Sequence, residues 1–183
     1  ILRCLVGSEM CIRDSYYVGE KIGYVLGDAS NAYGKVISKS WLARAKKEEV
    51  SFSPEAGWDD VKLKTFRRHI VELGKTGFTF IYDELEAEEP VTWSYLLHTV
   101  TNPMNVNMVN EFVHVQATSK NGISDAYLLG SDELKTDTTS HFFTPATNWL
   151  RADDKGNFKK YPNHWHFTAT SGKHKVYRFV TII

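Results

Sequence analysis

The chain has 183 residues, of which 42% are apolar and 13% aromatic, with 22 basic and 22 acidic side chains and a formal net charge of zero. That length suffices for one domain with a sizeable core, and the composition is that of a globular rather than a disordered chain. Zero net charge argues against a nucleic-acid electrostatic footprint and weakens the case for a whole-domain trap of an anionic polymer, although a local basic patch stays compatible with one. No run approaches the ~18 apolar residues of a membrane helix.

Residues 1–15, ILRCLVGSEMCIRDS, differ in character from the rest of the chain. Arg3, Glu9, Arg13 and Asp14 interrupt any apolar core, so the stretch is no signal peptide. It resembles a translated sequencing adapter, the alternative being a genuine short strand or helix, and is set apart from the fold, which leaves 16–183 as the domain. These first residues are expected to pack poorly on the rest. Both cysteines, Cys4 and Cys11, fall in this stretch. From Tyr16 onward there is therefore no disulfide framework, thiolate metal site or cysteine nucleophile. At the other end the chain stops in mid-strand at Ile182-Ile183, which reads as a cut at both ends.

Ile22 to Leu26 reads as a short strand running into the turn signal Gly27-Asp28. Residues 36–49 hold good helix formers after Ser40 and suggest a short helix or an irregular insertion. Ser51 to Asp60, with Pro54 and Gly57, reads as loop. Residues 66–98 then carry three apolar runs. Phe66 to Leu73 is broken by Gly74-Lys75-Thr76-Gly77. Phe78 to Leu85 alternates Phe78, Phe80 and Tyr82 with Thr79, Ile81 and Asp83, and Glu86 to Pro90 breaks it. Val91 to Val100 places Val91, Trp93, Tyr95 and Leu97 on one face. Period-two alternation of aromatic and β-branched residues reads as half-buried strand, and short polar joints make the three runs an antiparallel meander.

Thr101 to Asn110, with Pro103, reads as loop. Glu111 to Thr118 alternates Val113, Val115 and Ala117 against Phe112, His114 and Gln116. Asn121-Gly122 signals a hairpin with Ile123 to Leu129 as the return strand. Ser131 to Thr139 reads as turn-like, His141 to Thr144 as a short strand, and Arg151 to Pro162 as a charged loop. His164 to Thr170 alternates Trp165, Phe167 and Ala169 with His164, His166 and Thr168, and Ser171-Gly172 turns into the last strand. About eight to ten short strands with little helix predict an all-β fold, an antiparallel two-layer β-sandwich. Trp93, Tyr95, Leu97, Val113, Val115, Trp165 and Phe167 are its expected core.

These pieces also carry a resemblance. Arg67 and Arg68 on one strand, Tyr82-Asp83 on the next, Leu97-His98 closing a third, the turn Gly27-Asp28-Ala29-Ser30-Asn31-Ala32-Tyr33, and the late Trp165-His166-Phe167 and Arg178-Phe179-Val180 together resemble the C-terminal β-sandwich of the heparinase II/III-like polysaccharide lyases. The likeness runs from about Tyr16 to Ile183. It implies a periplasmic or secreted bacterial parent that cleaves uronic-acid polysaccharides, such as heparin-like glycans, alginate or ulvan, by β-elimination. It also implies that most catalytic groups belong to an N-terminal α/α toroid that this chain lacks. The family's zinc ion is held by ligands that would precede Tyr16, so no cofactor is assigned to these residues.

The residues themselves point less far. His164 and His166 are two apart on a strand and share a face. They read as a solvent-facing pair, while His98, closing an apolar strand, reads like His69 as a hydrogen-bonded core residue sooner than a catalyst; His98, His164 and His166 are the side chains that would meet substrate. Asp28 and Tyr33 offer a tyrosine-acid pair or, more simply, an Asx turn beside a packed tyrosine. Arg67 and Arg68 point to opposite faces, each able to pair with Asp83 or Glu84. No nucleophile elbow, phosphate loop or zinc-protease motif occurs. Two other readings stand beside the lyase. One is a non-catalytic carbohydrate-binding sandwich, which a surface strip of exposed Trp or Tyr would favour; Trp41, Trp58, Trp93, Trp149 and Trp165 are the candidates, of which alternation puts Trp93 and Trp165 in the core instead. The other is a structural sandwich of a larger surface protein.

Overall fold

The computed structural model describes residues 12–30, 62–99, 102–140 and 164–183, together with 43, 46, 47, 151, 152, 158 and 159. The fold is all-β and antiparallel, built on one large sheet of the kind from which β-sandwiches are made. Among the described residues helix is confined to a 3-10 turn at Gly74–Thr76 and to Ala43, Lys46 and Lys47, which fall in the stretch expected to hold a short helix. The expected strand at 141–144, Tyr33, Trp41, Trp58 and Trp149 lie outside the described residues.

The chain divides into two compact units, residues 1–91 with 173–180 and residues 92–172 with 181–183. In the first, β1 (Ile12–Val18), β2 (Gly23–Asp28), β3 (Leu63–Leu73) and the front of β4 (Phe78–Thr99) pair in chain order, and β11 (Trp165–Ile182) lies next to β4. β1 begins inside the N-terminal stretch set apart from the fold on sequence grounds. Ile12 pairs with Asp28, Arg13 with Gly27 and Ser15 with Leu26. Two glycines shape the β3–β4 turn. A Cβ on Gly74 would stand 2.9 Å from the Lys21 carbonyl oxygen, and Gly77 adopts φ 75°, a conformation that favours glycine. The core of this unit is Leu85, Ala87, Tyr177, Phe179 and one charged residue, Asp83.

The second unit holds β5 (Asn105–Val109), β6 (Phe112–Ser119), β7 (Gly122–Gly130) and β8 (Lys135–Thr139) with parts of β4 and β11. β5 to β7 form a meander, with Val115 opposite both Val106 and Ala126, and β8 pairs with β11 so that Thr139 faces His166. The predicted hairpin is present, closed by the Ser119 and Gly122 pair. Its core is Trp93, Tyr95, Met104, Val113, Val115, Ala126, Leu128, Phe167 and Ala169. Five of the seven expected core residues are buried, while Leu97 and Trp165 are half-buried. The two-residue strands β9 (Arg151–Ala152) and β10 (Phe158–Lys159) pair with each other within the expected loop at 151–162.

Four expected breaks are strands instead. β4 runs for 22 residues straight through Glu86 to Pro90. The β3 ladder ends at the Leu63 and Ala87 pair, so Pro90 lies beyond it and its missing N–H breaks no bond on that side. β11 runs for 18 residues through Ser171-Gly172. There the Ser171 hydroxyl accepts the Trp93 N–H at 2.9 Å and donates to the Gly172 carbonyl at 2.6 Å, bonding a main-chain donor and acceptor inside the strand. β5 and β8 replace an expected loop and an expected turn. Their Asn and Thr side chains look turn-like in sequence, but they suit strands with one solvated face.

Candidate functional site

Strand register decides which side chains of the first unit share a face, because directly opposed residues in an antiparallel pair point the same way. Tyr17, Tyr24, Val71 and Phe80 form one row across β1 to β4, Leu26, His69 and Tyr82 form the next, and Leu73 pairs with Phe78. This face stays open. Tyr17 is 61% exposed, Phe78 53%, Phe80 36% and Tyr82 38%. It is a strip of aromatic rings of the sort that would favour carbohydrate binding, made of Tyr and Phe where Trp was the expected carrier.

A polar chain crosses the same face. The Tyr24 hydroxyl lies 2.9 Å from His69 Nδ1, and His69 Nε2 lies 3.3 Å from Glu84 Oε2. A carboxylate only accepts, so Nε2 carries the hydrogen and, in the neutral ring, Nδ1 accepts the Tyr24 proton. The His69 ring also leans on Tyr82, with centroids 5.7 Å apart, and Arg178 Nε donates to the Tyr82 hydroxyl at 3.0 Å. These bonds fix the rings in place rather than leaving them to rotate.

Arg67 and Arg68 do point to opposite faces. Arg68 grips buried Asp83 through two bonds of 2.6 and 2.7 Å. Arg67 pairs with Asp28 at 2.8 Å, although its strand partner on β4 is Glu84. Asp28 forms the Asx turn: its Oδ1 accepts the Ser30 amide at 2.8 Å and the Ser30 hydroxyl as well. Partial burial opposes ionisation of Asp28, but the Ser30 hydroxyl, Arg67 and the Ser30 amide outweigh it and hold the carboxyl below its ordinary range.

The second unit brings two of the three sequence-chosen histidines into contact. His98 near the end of β4 and His166 in β11 meet edge to face, with centroids 4.7 Å apart. His164, just before β11, is exposed, but His166 is buried where β8 pairs beside it and the His98 ring packs on it, so the two are not the solvent-facing pair expected; His164 is still close enough to act on its neighbour. Burial, followed by His98 and His164, lowers the pKa of His166. Among the described residues no group of three or more His, Cys, Asp or Glu could hold a metal ion. An open cavity of about 350 Å³ in this unit is lined by Met108, Val113, Leu129 and Leu134 and by Glu111, Asp132 and Glu133, with no Lys or Arg among its described lining residues.

Sequence reasoning missed Tyr24, His69 and Glu84 as a set. Tyr24 and His69 are 45 residues apart, and only the β2–β3 register makes them neighbours. The alternation of Phe78, Phe80 and Tyr82 was the one available signal, since it put three rings on one side. The fold and these surfaces define an antiparallel all-β protein with a fixed aromatic face. No protein-family model matches the chain, and no curated protein matches it. Among the described residues no helix is long and apolar enough to cross a membrane.

Proposed function

We propose that this chain is the β-sandwich portion of a polysaccharide lyase of the heparinase II/III-like kind, exported to the periplasm or beyond, and that its own part is to hold an anionic polysaccharide rather than to cleave it. The observation that supports this reading is the open aromatic face of the first unit. Exposed apolar patches with a polar rim mark interaction sites. Phe78, Phe80, Tyr82 and Tyr17 offer flat rings for the C–H faces of sugars, and the Tyr24–His69–Glu84 chain offers bonds to hydroxyls. Arg67, paired with Asp28, and Arg178 set two guanidinium groups on the same face as donors for a uronate carboxylate, beside the Asp28 and Glu84 carboxylates that balance their charge. β-Elimination needs a base, an acid for the leaving oxygen and carboxylate neutralisers held together in a water-poor site. This face is open to solvent rather than water-poor, and the family resemblance assigns the catalytic set to a helical toroid. The same face would serve a free-standing carbohydrate-binding module, and a toroid encoded upstream in the parent gene separates the two.

The test is affinity electrophoresis of the purified chain in gels containing heparan sulfate, alginate or ulvan, with ultraviolet absorbance of unsaturated uronate as the second readout. The expected result is retardation by at least one polymer, weakened roughly ten-fold by Phe80→Ala or Tyr82→Ala, with no product formed. Retardation that ignores both substitutions assigns this face to another occupant, such as a helical domain, and overturns the binding role given to it. Steady product formation abolished by His98→Ala, His164→Ala or His166→Ala overturns the non-cleaving part.

A further inference from the structure

The outward face of β5, β6 and β7 is a second built surface, independent of the aromatic one. Register places Asn107, His114 and Tyr127 in one row and Asn105, Gln116 and Asp125 in the next. The reverse face of the same strands carries Val113, Val115, Ala126 and Leu128, all buried, so these six polar side chains point away from that core. They are also held in position. His114 Nε2 donates to Asp125 Oδ1 at 2.8 Å, and the Gln116 amide donates to the same oxygen at 3.0 Å. Tyr127 stacks on the His114 ring with centroids 4.6 Å apart and planes 16° from parallel. Asp125 Oδ2 has no hydrogen bond among the described residues and remains an acceptor. His114 and Gln116 lower the pKa of Asp125, which keeps it an acceptor in mild acid.

Charge selects the ligand. β5, β6 and β7 read NVNMV, FVHVQATS and GISDAYLLG, without one Lys or Arg. A face whose fixed charge is a carboxylate repels uronate and sulfate groups. Its complement is a ligand rich in hydroxyls and free of charge, since hydroxyls donate to the carboxylate and exchange bonds with the amides, while an apolar sugar face covers the Tyr127 ring. We propose that this face binds a neutral sugar unit through Asp125, Gln116, Asn105, Asn107 and Tyr127.

The experiment uses the whole chain in affinity gels containing galactomannan, xyloglucan or mixed-linkage β-glucan, with bovine albumin as the mobility reference. The expected result is retardation by at least one of these neutral polymers, weakened roughly ten-fold in Asp125→Ala and in Tyr127→Ala. Circular dichroism and the melting temperature check that each variant is folded. Gln116→Ala, which removes a single bond, replaces a variant that is not, with a weaker but measurable loss expected. The proposal is overturned if none of the three polymers retards the chain, if folded variants are retarded like the parent, or if Phe80→Ala abolishes the retardation instead.

Discussion

The two units use the same strand chemistry with opposite results. In the first, aromatic rings of β4 face outward and an aspartate faces in: Phe78, Phe80 and Tyr82 are exposed, while Asp83 is 2% exposed and clamped by Arg68. In the second, Trp93 and Tyr95 of the same strand face in with Val113, Val115 and Phe167, and amides, imidazole and carboxylate face out. The odd-numbered side of β4 is the inner one in both units, since Asp83, Leu85, Ala87, Trp93 and Tyr95 are all buried. The aromatic residues switch sides between them. A ring on a strand is therefore core or open surface according to its parity, and its chemistry alone does not distinguish the two.

The largest expected effect tests that switch directly. Phe167→Ala empties a fully buried position and is expected to cost about 4 kcal/mol. Phe80→Ala, the same change on the open face, should lie within about 0.5 kcal/mol of the parent in urea unfolding. Equal losses would mean that the aromatic face is covered in solution and would break the comparison.

Next comes the charge inside the first unit. Arg68→Ala leaves the Asp83 carboxylate buried without its bidentate partner, and uncompensated buried charge is strongly destabilising. Arg68 is itself about half exposed, so solvent softens the effect, and a loss of about 3 kcal/mol is expected by the same urea measurement. A loss below about 1 kcal/mol would show that Asp83 finds other donors.

The smallest effect concerns acid. His166 has a folded pKa below its ordinary 6.5, so the unfolded chain binds the proton more readily and stability falls as pH drops through about 6.5 toward the folded value. Asp28 is a depressed carboxylate. Its contribution is complete above its ordinary 3.8 and is lost only as pH falls through the lower folded value. His166→Asn should therefore flatten the stability profile just below pH 6.5 without changing the profile below pH 3.8, where Asp28→Asn acts instead. Thermal melts across this pH range check both windows, and a His166→Asn profile parallel to the parent would refute the first.

Local chemistry determined much of this protein. β-Branched and aromatic alternation marked the strands, Gly74 to Gly77 marked the β3–β4 turn, and Asn121-Gly122 marked a hairpin, whose two loop residues the structure sets one position earlier at Lys120-Asn121, because period, glycine and turn residues act over a few neighbours. The Asx turn at Asp28 was equally legible, since its partner is two residues away. Tertiary structure decided the rest. Whether Glu86 to Pro90 bends or runs straight depended on where β3 ends, and whether Ser171-Gly172 turns depended on the Trp93 N–H across the sheet. Which side of β4 meets the core, and whether Tyr24, His69 and Glu84 share a face, came from the registers of β3 with β4 and of β2 with β3, the latter joining Tyr24 to His69 across 45 residues. A period of two says that a strand has two faces. Only the neighbours it pairs with, and what packs behind them, say which face is inside.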